Sequence, residues 1–169
     1  MAVTRFLLSE LERNPDTEVG GSDARALRAA KAVLTGGRPR FLSVVLRDAA
    51  VGGRSMTDYE KVLKRNDAGI GALWDAIQAD AALKKDTNLI VVSDHGRNRK
   101  VDGSGGLGYD DGSHDATRVA LLCAGLAFKR KERVRVAVNT IDVVPTICHL
   151  FGFKPATTKG KVARTAFPK

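Results

Sequence analysis

Three short stretches of the chain hold residues able to do chemistry. Asp94-His95-Gly96 follows the apolar run Leu89-Ile90-Val91-Val92, so a carboxylate and an imidazole stand where a buried strand ends. Ser113-His114-Asp115 lies about twenty residues on, in a Gly/Asp-rich loop, and Asp48 ends an earlier apolar run. Carboxylate oxygen and imidazole nitrogen suit Zn²⁺ and similar cations, and a strand end can aim them at one ion. An Asp-His pair by itself is more often a hydrogen-bonded loop pair than a ligand pair. The second histidine, His114, favours ligation.

Those stretches need elements to position them. Ser22 is placed to cap a helix with Ala24, Leu27, Ala30 and Leu34 on one face and Gly36-Gly37 at its end. Phe41–Leu46 reads as a continuous apolar strand. Thr57 and Glu60 have the spacing of a capping box for a long helix striped by Tyr59, Val62, Leu63, Ile70, Leu73, Trp74 and Ile77. Strands are expected at 88–92, 118–123 and 134–138. Thr140 is expected to cap a last helix with Ile141, Val144, Ile147, Cys148 and Phe151 inward. Unbroken apolar strands separated by helices predict an α/β fold, a mostly parallel sheet with helices on both faces. In such sheets functional residues collect where strands end. The chain divides into a helical lead-in over 1–38, a core over 39–153 and a basic, irregular tail over 154–169.

Gly103-Ser104-Gly105-Gly106-Leu107-Gly108 matches GxGxxG but is followed by Tyr109-Asp110-Asp111-Gly112. A dinucleotide fingerprint must open a helix, so this match reads as a loop.

Composition bounds the function. The 169 residues are 43% hydrophobic and 28% charged, ordinary for one globular domain. Cys123 and Cys148 sit in apolar stretches without CxxC spacing and read as free thiols in a reducing compartment. No signal-peptide pattern or membrane span is legible, so a cytoplasmic protein with no membrane contact is expected. The formal charge of +9 is uneven: residues 1–96 carry 14 Lys+Arg against 13 Asp+Glu, and residues 97–169 carry 14 against 6. A basic half of this kind suits an anionic ligand or nucleic acid, although a solvated basic face is the plainer reading. No aromatic residues interleave with Lys129-Arg130-Lys131, and no known nucleic-acid module is visible.

The run from Pro39 to Phe153 resembles the C-terminal half of the alkaline phosphatase superfamily, in its sulfatase-like and phosphodiesterase branches. The residues carrying the resemblance are Phe41–Asp48, the helix with Asn66-Asp67 and Ile70-Gly71, Thr87–Gly96, Gly112-Ser113-His114, and Thr140-Ile141-Asp142-Val143-Val144-Pro145-Thr146. The resemblance implies hydrolysis of phosphate or sulfate esters by two metal ions and a Ser, Thr or modified Cys nucleophile. It assigns Asp94 and His95 to one metal and His114 to the other.

Departures from the pattern carry equal weight. The family's D-T-D-V-A-G-H-S segment falls on Asp48–Ser55, which places Ala50 at a ligand Asp and Arg54 at a ligand His. A methyl cannot ligate and a permanent guanidinium repels a cation. The family's nucleophile precedes the Asp-His pair by more residues than this chain has before Asp94. The expectation is therefore a truncated, degenerate and inactive relative that acts as a scaffold or subunit, with enzymatic activity itself an open question. Asp94, His95 and His114 would hold at most one weakly bound Zn²⁺, and Arg54, in the pocket or paired to Asp48, would bind an anion. Two alternatives stand: a metal-dependent ester hydrolase completed by another chain, and a basic module that binds anions or nucleic acid. Self-association or a partner chain covering the exposed sheet edge is expected in either case.

Overall fold

The computed structural model describes residues 22–51, 55–103 and 105–168. Helix α1 (Ser22–Gly37) turns its Leu27, Ala30, Val33 and Leu34 inward, at the spacing of one helical face. Helix α2 (Asp48–Val51) is a single turn, and α3 (Met56–Ala79) is the longest element. Leu73 and Ile77 of α3 meet Leu27, Ala30 and Leu34 of α1, and Leu83 of the short helix α4 (Leu83–Asp86) closes the cluster. Ile77, only 1% exposed, lies at its centre, where full burial of such a side chain contributes about 1.5–3 kcal/mol.

Helix α3 starts at a different cap from the one expected. Ser55, not Thr57, is the N-cap, and its Oγ accepts from Asp58 N at 3.1 Å. Ser55 is extended (φ −149°, ψ 155°), the conformation that lets a side chain turn back onto the first helical turn.

Residues 41–47 show the alternation of a strand. Leu42, Val44 and Leu46 pack on the α1–α3 core while Phe41 and Val45 are exposed. Yet this run has no ladder partner among the described residues. The expected strand at 134–138 is likewise absent, and that stretch is a largely exposed loop.

The sheet corrects the expected topology. Strands β1 (Leu89–Val92) and β2 (Leu121–Ala124) form a two-stranded antiparallel pair, with Leu89 opposite Ala124 and Val92 opposite Leu121. The described residues thus make a small domain of helices and an antiparallel sheet, not the mostly parallel sheet read from the apolar runs. The reason lies in the connection. A parallel partner needs a crossover that carries the chain back to the start of the first strand. Residues 93–120 hold one short helix, α5 (His114–Thr117), and Gly96 N donates to Ala116 O at 2.7 Å. The chain therefore stays at the C-terminal end of β1, and β2 begins there and runs back. At the far end Gly125 (φ 132°) turns the chain so closely over Thr87 and Asn88 that a Cβ would meet backbone atoms. Asn88 Oδ1 fixes that turn by accepting from Ala127 N at 3.1 Å.

A 3₁₀ turn (Thr140–Asp142), with a capping box between Asn139 and Asp142, leads into helix α6 (Val143–Leu150). The tail, expected to be irregular, docks on α6 and contains a 3₁₀ turn at Arg164–Ala166. Thr146, 3% exposed, accepts from Ala163 N at 2.9 Å and donates to Asp142 O at 2.6 Å. None of the helices among the described residues is long and apolar enough to cross a membrane.

Candidate functional site

Asp94 lies two residues past β1, where the strand hands over to the loop. Its side chain is 89% exposed, and Oδ1 accepts from the amide of His95 at 2.9 Å. The His95 Nδ1 is 2.8 Å from Gly96 O. A carbonyl can only accept, so Nδ1 carries a proton, and in the neutral ring Nε2 then keeps its lone pair. That Nε2 is 3.7 Å from Asp94 Oδ1, and two such donors on one face can share an ion.

The loop after β1 holds His95 from the other side. Its ring stacks on Tyr109, with centroids 4.3 Å apart and planes at 16°. Arg97 lies over the same tyrosine at 5.1 Å and over Tyr59 of α3 at 5.7 Å, while its Nη1 donates to Leu107 O at 2.9 Å. A guanidinium between two aromatic faces fixes a loop to a helix. The GxGxxG stretch serves this arrangement: Val101 bridges Leu107, and Asn98 N donates to Gly108 O at 2.8 Å, so a closed loop delivers Tyr109 onto His95. Nothing in the spacing of Arg97, Tyr59 and Tyr109 along the chain announced this stack.

His114 opens α5, exposed, with Ser113 as N-cap accepting from Ala116 N at 3.2 Å. A network ties this helix to the strand end. Asp111 accepts from Ser113 N at 3.0 Å and from Asn98 Nδ2 at 2.6 Å, and Ser113 Oγ donates to Asn98 Oδ1 at 2.6 Å. Chiefly the Ser113 amide, with Ser113 and Asn98 side chains adding to it, holds the Asp111 carboxyl below the ordinary aspartate value. Gly96 is the hinge of the contact: a Cβ there would run into the carbonyls of Asp115 and Arg118. The strand end carrying Asp94-His95 and the helix carrying His114 are thus packed backbone to backbone. Among the described residues, however, no three His, Cys, Asp or Glu side chains gather closely enough to hold a metal. Asp94 and His95 offer two donors, which does not fit the closed tetrahedral set of four that Zn²⁺ prefers.

The segment beginning at Asp48 has a different role from the one a metal would give it. Asp48 is 5% exposed and Asp23 1%. Asp48 accepts from Ser22 Oγ (2.6 Å), Asp23 N (3.3 Å) and Arg65 Nη2 (2.9 Å). Asp23 accepts from Arg47 N (2.6 Å), Asp48 N (3.1 Å) and Asn66 Nδ2 (2.7 Å). Each aspartate therefore caps the helix on which the other sits, satisfying amides that helix starts leave open. Among the described residues Arg65 is the cation paired with Asp48, and Arg54, expected in the pocket or paired to Asp48, lies outside the described residues. Ala50 is exposed, with its amide donating to Arg47 O at 3.0 Å. The Asp23–Asp48 exchange escaped the sequence reading because nothing in a one-dimensional pattern pairs two aspartates across different helices.

Asp-His-Gly at a strand's end, with Ser-His opening the helix packed against it, is consistent with the alkaline-phosphatase-like superfamily. The family model described as Sulfatase matches residues 13–153, most of the chain, and the chain belongs to that family. No curated protein and no solved structure gives a significant match.

Proposed function

We propose that this chain is a sulfatase-family domain that does not hydrolyse esters by itself and acts as a scaffold or subunit. One observation carries the reading: Asp48 is spent on capping and on Arg65, with the Ala50 methyl two residues on. A buried carboxylate already accepting from three donors has no favourable route to a cation, because releasing those donors would leave them unsatisfied. The second metal of the family then has no carboxylate from this segment. Asp94 and His95 remain as a two-donor site that binds Zn²⁺ weakly, with His114 on the neighbouring helix. Family members use divalent metals to polarise the ester and activate the attacking group. Among the described residues Asp94 and His95 hold a carboxylate and an imidazole on one face.

Arg54 belongs to this reading as an anion-binding residue, since a guanidinium supplies to phosphate or sulfate the positive charge a metal would supply. A second copy or partner chain covering residues 41–47 belongs to it too, supported by the exposed Phe41 and Val45 beside a backbone that has no ladder partner among the described residues. The two free thiols fit a cytoplasmic setting.

A second reading, a hydrolase completed by another chain, is favoured by the order kept around Asp94-His95: a fixed tautomer, a stacked ring and a helix locked to Gly96. Zinc titration calorimetry separates the two. The first reading expects affinity weaker than micromolar, with a gain on Ala50→Asp/Arg54→His. Sub-micromolar affinity in the unaltered chain, lost on His95→Ala, would support the second and overturn the first.

A further inference from the structure

Two basic stretches separated in sequence are brought together by the docked tail. The loop from Lys129 to Asn139 leaves the core at Phe128, whose ring meets Phe167 at 5.2 Å, while Lys129 N donates to Ala166 O at 2.9 Å. At its other end Asn139 N and Lys161 N donate to the two oxygens of the Asp142 carboxylate, at 3.0 and 2.7 Å. Residue 129 thus sits beside 166 and residue 139 beside 161, so loop and tail run antiparallel and share both ends. Between and next to those shared ends the loop carries exposed Arg130, Lys131, Arg133 and Arg135 and the tail exposed Lys159, Lys161 and Arg164. The carboxylates in these stretches offset little of this charge: of these side chains only Lys161 lies within reach of one, Asp142. Glu132 pairs with Lys129 at 3.2 Å, and Asp142 is engaged by main-chain amides.

We propose that this loop-and-tail surface binds duplex nucleic acid through its phosphates without reading sequence. Four of the seven side chains are arginines, whose planar forks suit bidentate phosphate contacts. The two segments carry no aromatic side chain between 129 and 139 or between 159 and 166, so they lack the stacking platforms that single strands use. Neither segment is an amphipathic helix of the kind that lies in a membrane surface. The surface uses none of the residues around Asp94-His95, so it stands or falls apart from the reading of that site.

The test is fluorescence anisotropy of short DNA duplexes of unrelated sequence against the full chain, over a range of salt. With about six phosphates neutralised, affinity should fall about 10³-fold between about 50 and 200 mM salt, equally for each sequence. Arg130→Gln/Arg133→Gln/Arg135→Gln and Lys159→Gln/Lys161→Gln/Arg164→Gln should each flatten the salt slope by about 2 to 3. Lys84→Gln/Lys85→Gln, two exposed lysines on α4, should leave it unchanged. All the substituted side chains are exposed, and cross-linking of the unaltered chain to the duplex locates the contact without any variant. Equal weakening by the α4 control, loss on only one of the two segments, or cross-links elsewhere would overturn the proposal. So would binding of heparin or anionic vesicles with none of the duplex.

Discussion

Replacing Asp48 by alanine removes the acceptor that ties the start of α1 to α2 and α3. Three bonds go: from Ser22 Oγ, from Asp23 N and from Arg65 Nη2. Loss of the cap on the Asp23 amide costs about 1 kcal/mol. The short bond from Ser22 to a buried charged acceptor adds about 1.5 kcal/mol. The Arg65 pair adds only about 0.5 kcal/mol, because that guanidinium is 39% exposed and screened by water. The expected loss is about 3 kcal/mol, which for a chain of this length lowers Tm by about 6–12 °C. Because Asp23 and Asp48 each accept from the other's amide, Asp23→Ala/Asp48→Ala should fall short of additivity by about 0.5–3 kcal/mol. Urea unfolding followed by circular dichroism measures all three variants. A loss below about 0.5 kcal/mol for Asp48→Ala, coupled to weaker divalent-metal binding, would refute the capping role and return Asp48 to the metal ligands.

Three further outcomes follow from the same geometry. Gly96→Ala forces a methyl against the Asp115 and Arg118 carbonyls and should destabilise the chain by about 1–3 kcal/mol, with hydrogen exchange rising at the Gly96 amide that Ala116 O holds. The Asp111 carboxyl titrates below the ordinary value of 3.8 because the Ser113 amide and the Ser113 and Asn98 side chains favour its charged form. Its contribution is therefore complete above that value and is lost as pH falls through the lower folded one, so exchange in loop 98–113 should rise on acidification and Asp111→Asn should mimic this at neutral pH. Burial pushes the Cys123 thiol up, so at neutral pH it should react with alkylating reagents more slowly than a free cysteine does, and denaturant should remove the difference.

The elements that repeat an apolar period were legible from the chain alone: α1, α3, β1 and α6 lie where Leu27–Leu34, Leu73–Ile77, Leu89–Val92 and Ile147–Cys148 imply. Strand direction was not, because an apolar run says that a strand is buried and nothing about which end its neighbour enters; the Gly96–Ala116 bond decided it. The start of α3 was misread because Thr57–Glu60 and Ser55–Asp58 have the same spacing, and only backbone geometry at Ser55 separates them. At the candidate site, Asp94 and His95 at a strand's end were readable from side-chain type. The stack of His95, Tyr109, Arg97 and Tyr59 was not, since it joins a loop to a helix distant in sequence. Residues 154–161 are poor in apolar side chains, which hid a docking that rests on main-chain donors to Thr146 and Asp142 and on Phe167 against Phe128.

We propose that this sulfatase-family chain does not turn over esters by itself. Hydrolysis of p-nitrophenyl sulfate and p-nitrophenyl phosphate by the purified chain, with Zn²⁺, Ca²⁺ or Mg²⁺ supplied, tests it most directly. Rates equal to those of the metal alone, unchanged by His95→Ala, are expected. Turnover above that background, abolished by His95→Ala and retained by a surface variant such as Lys84→Gln, would contradict it.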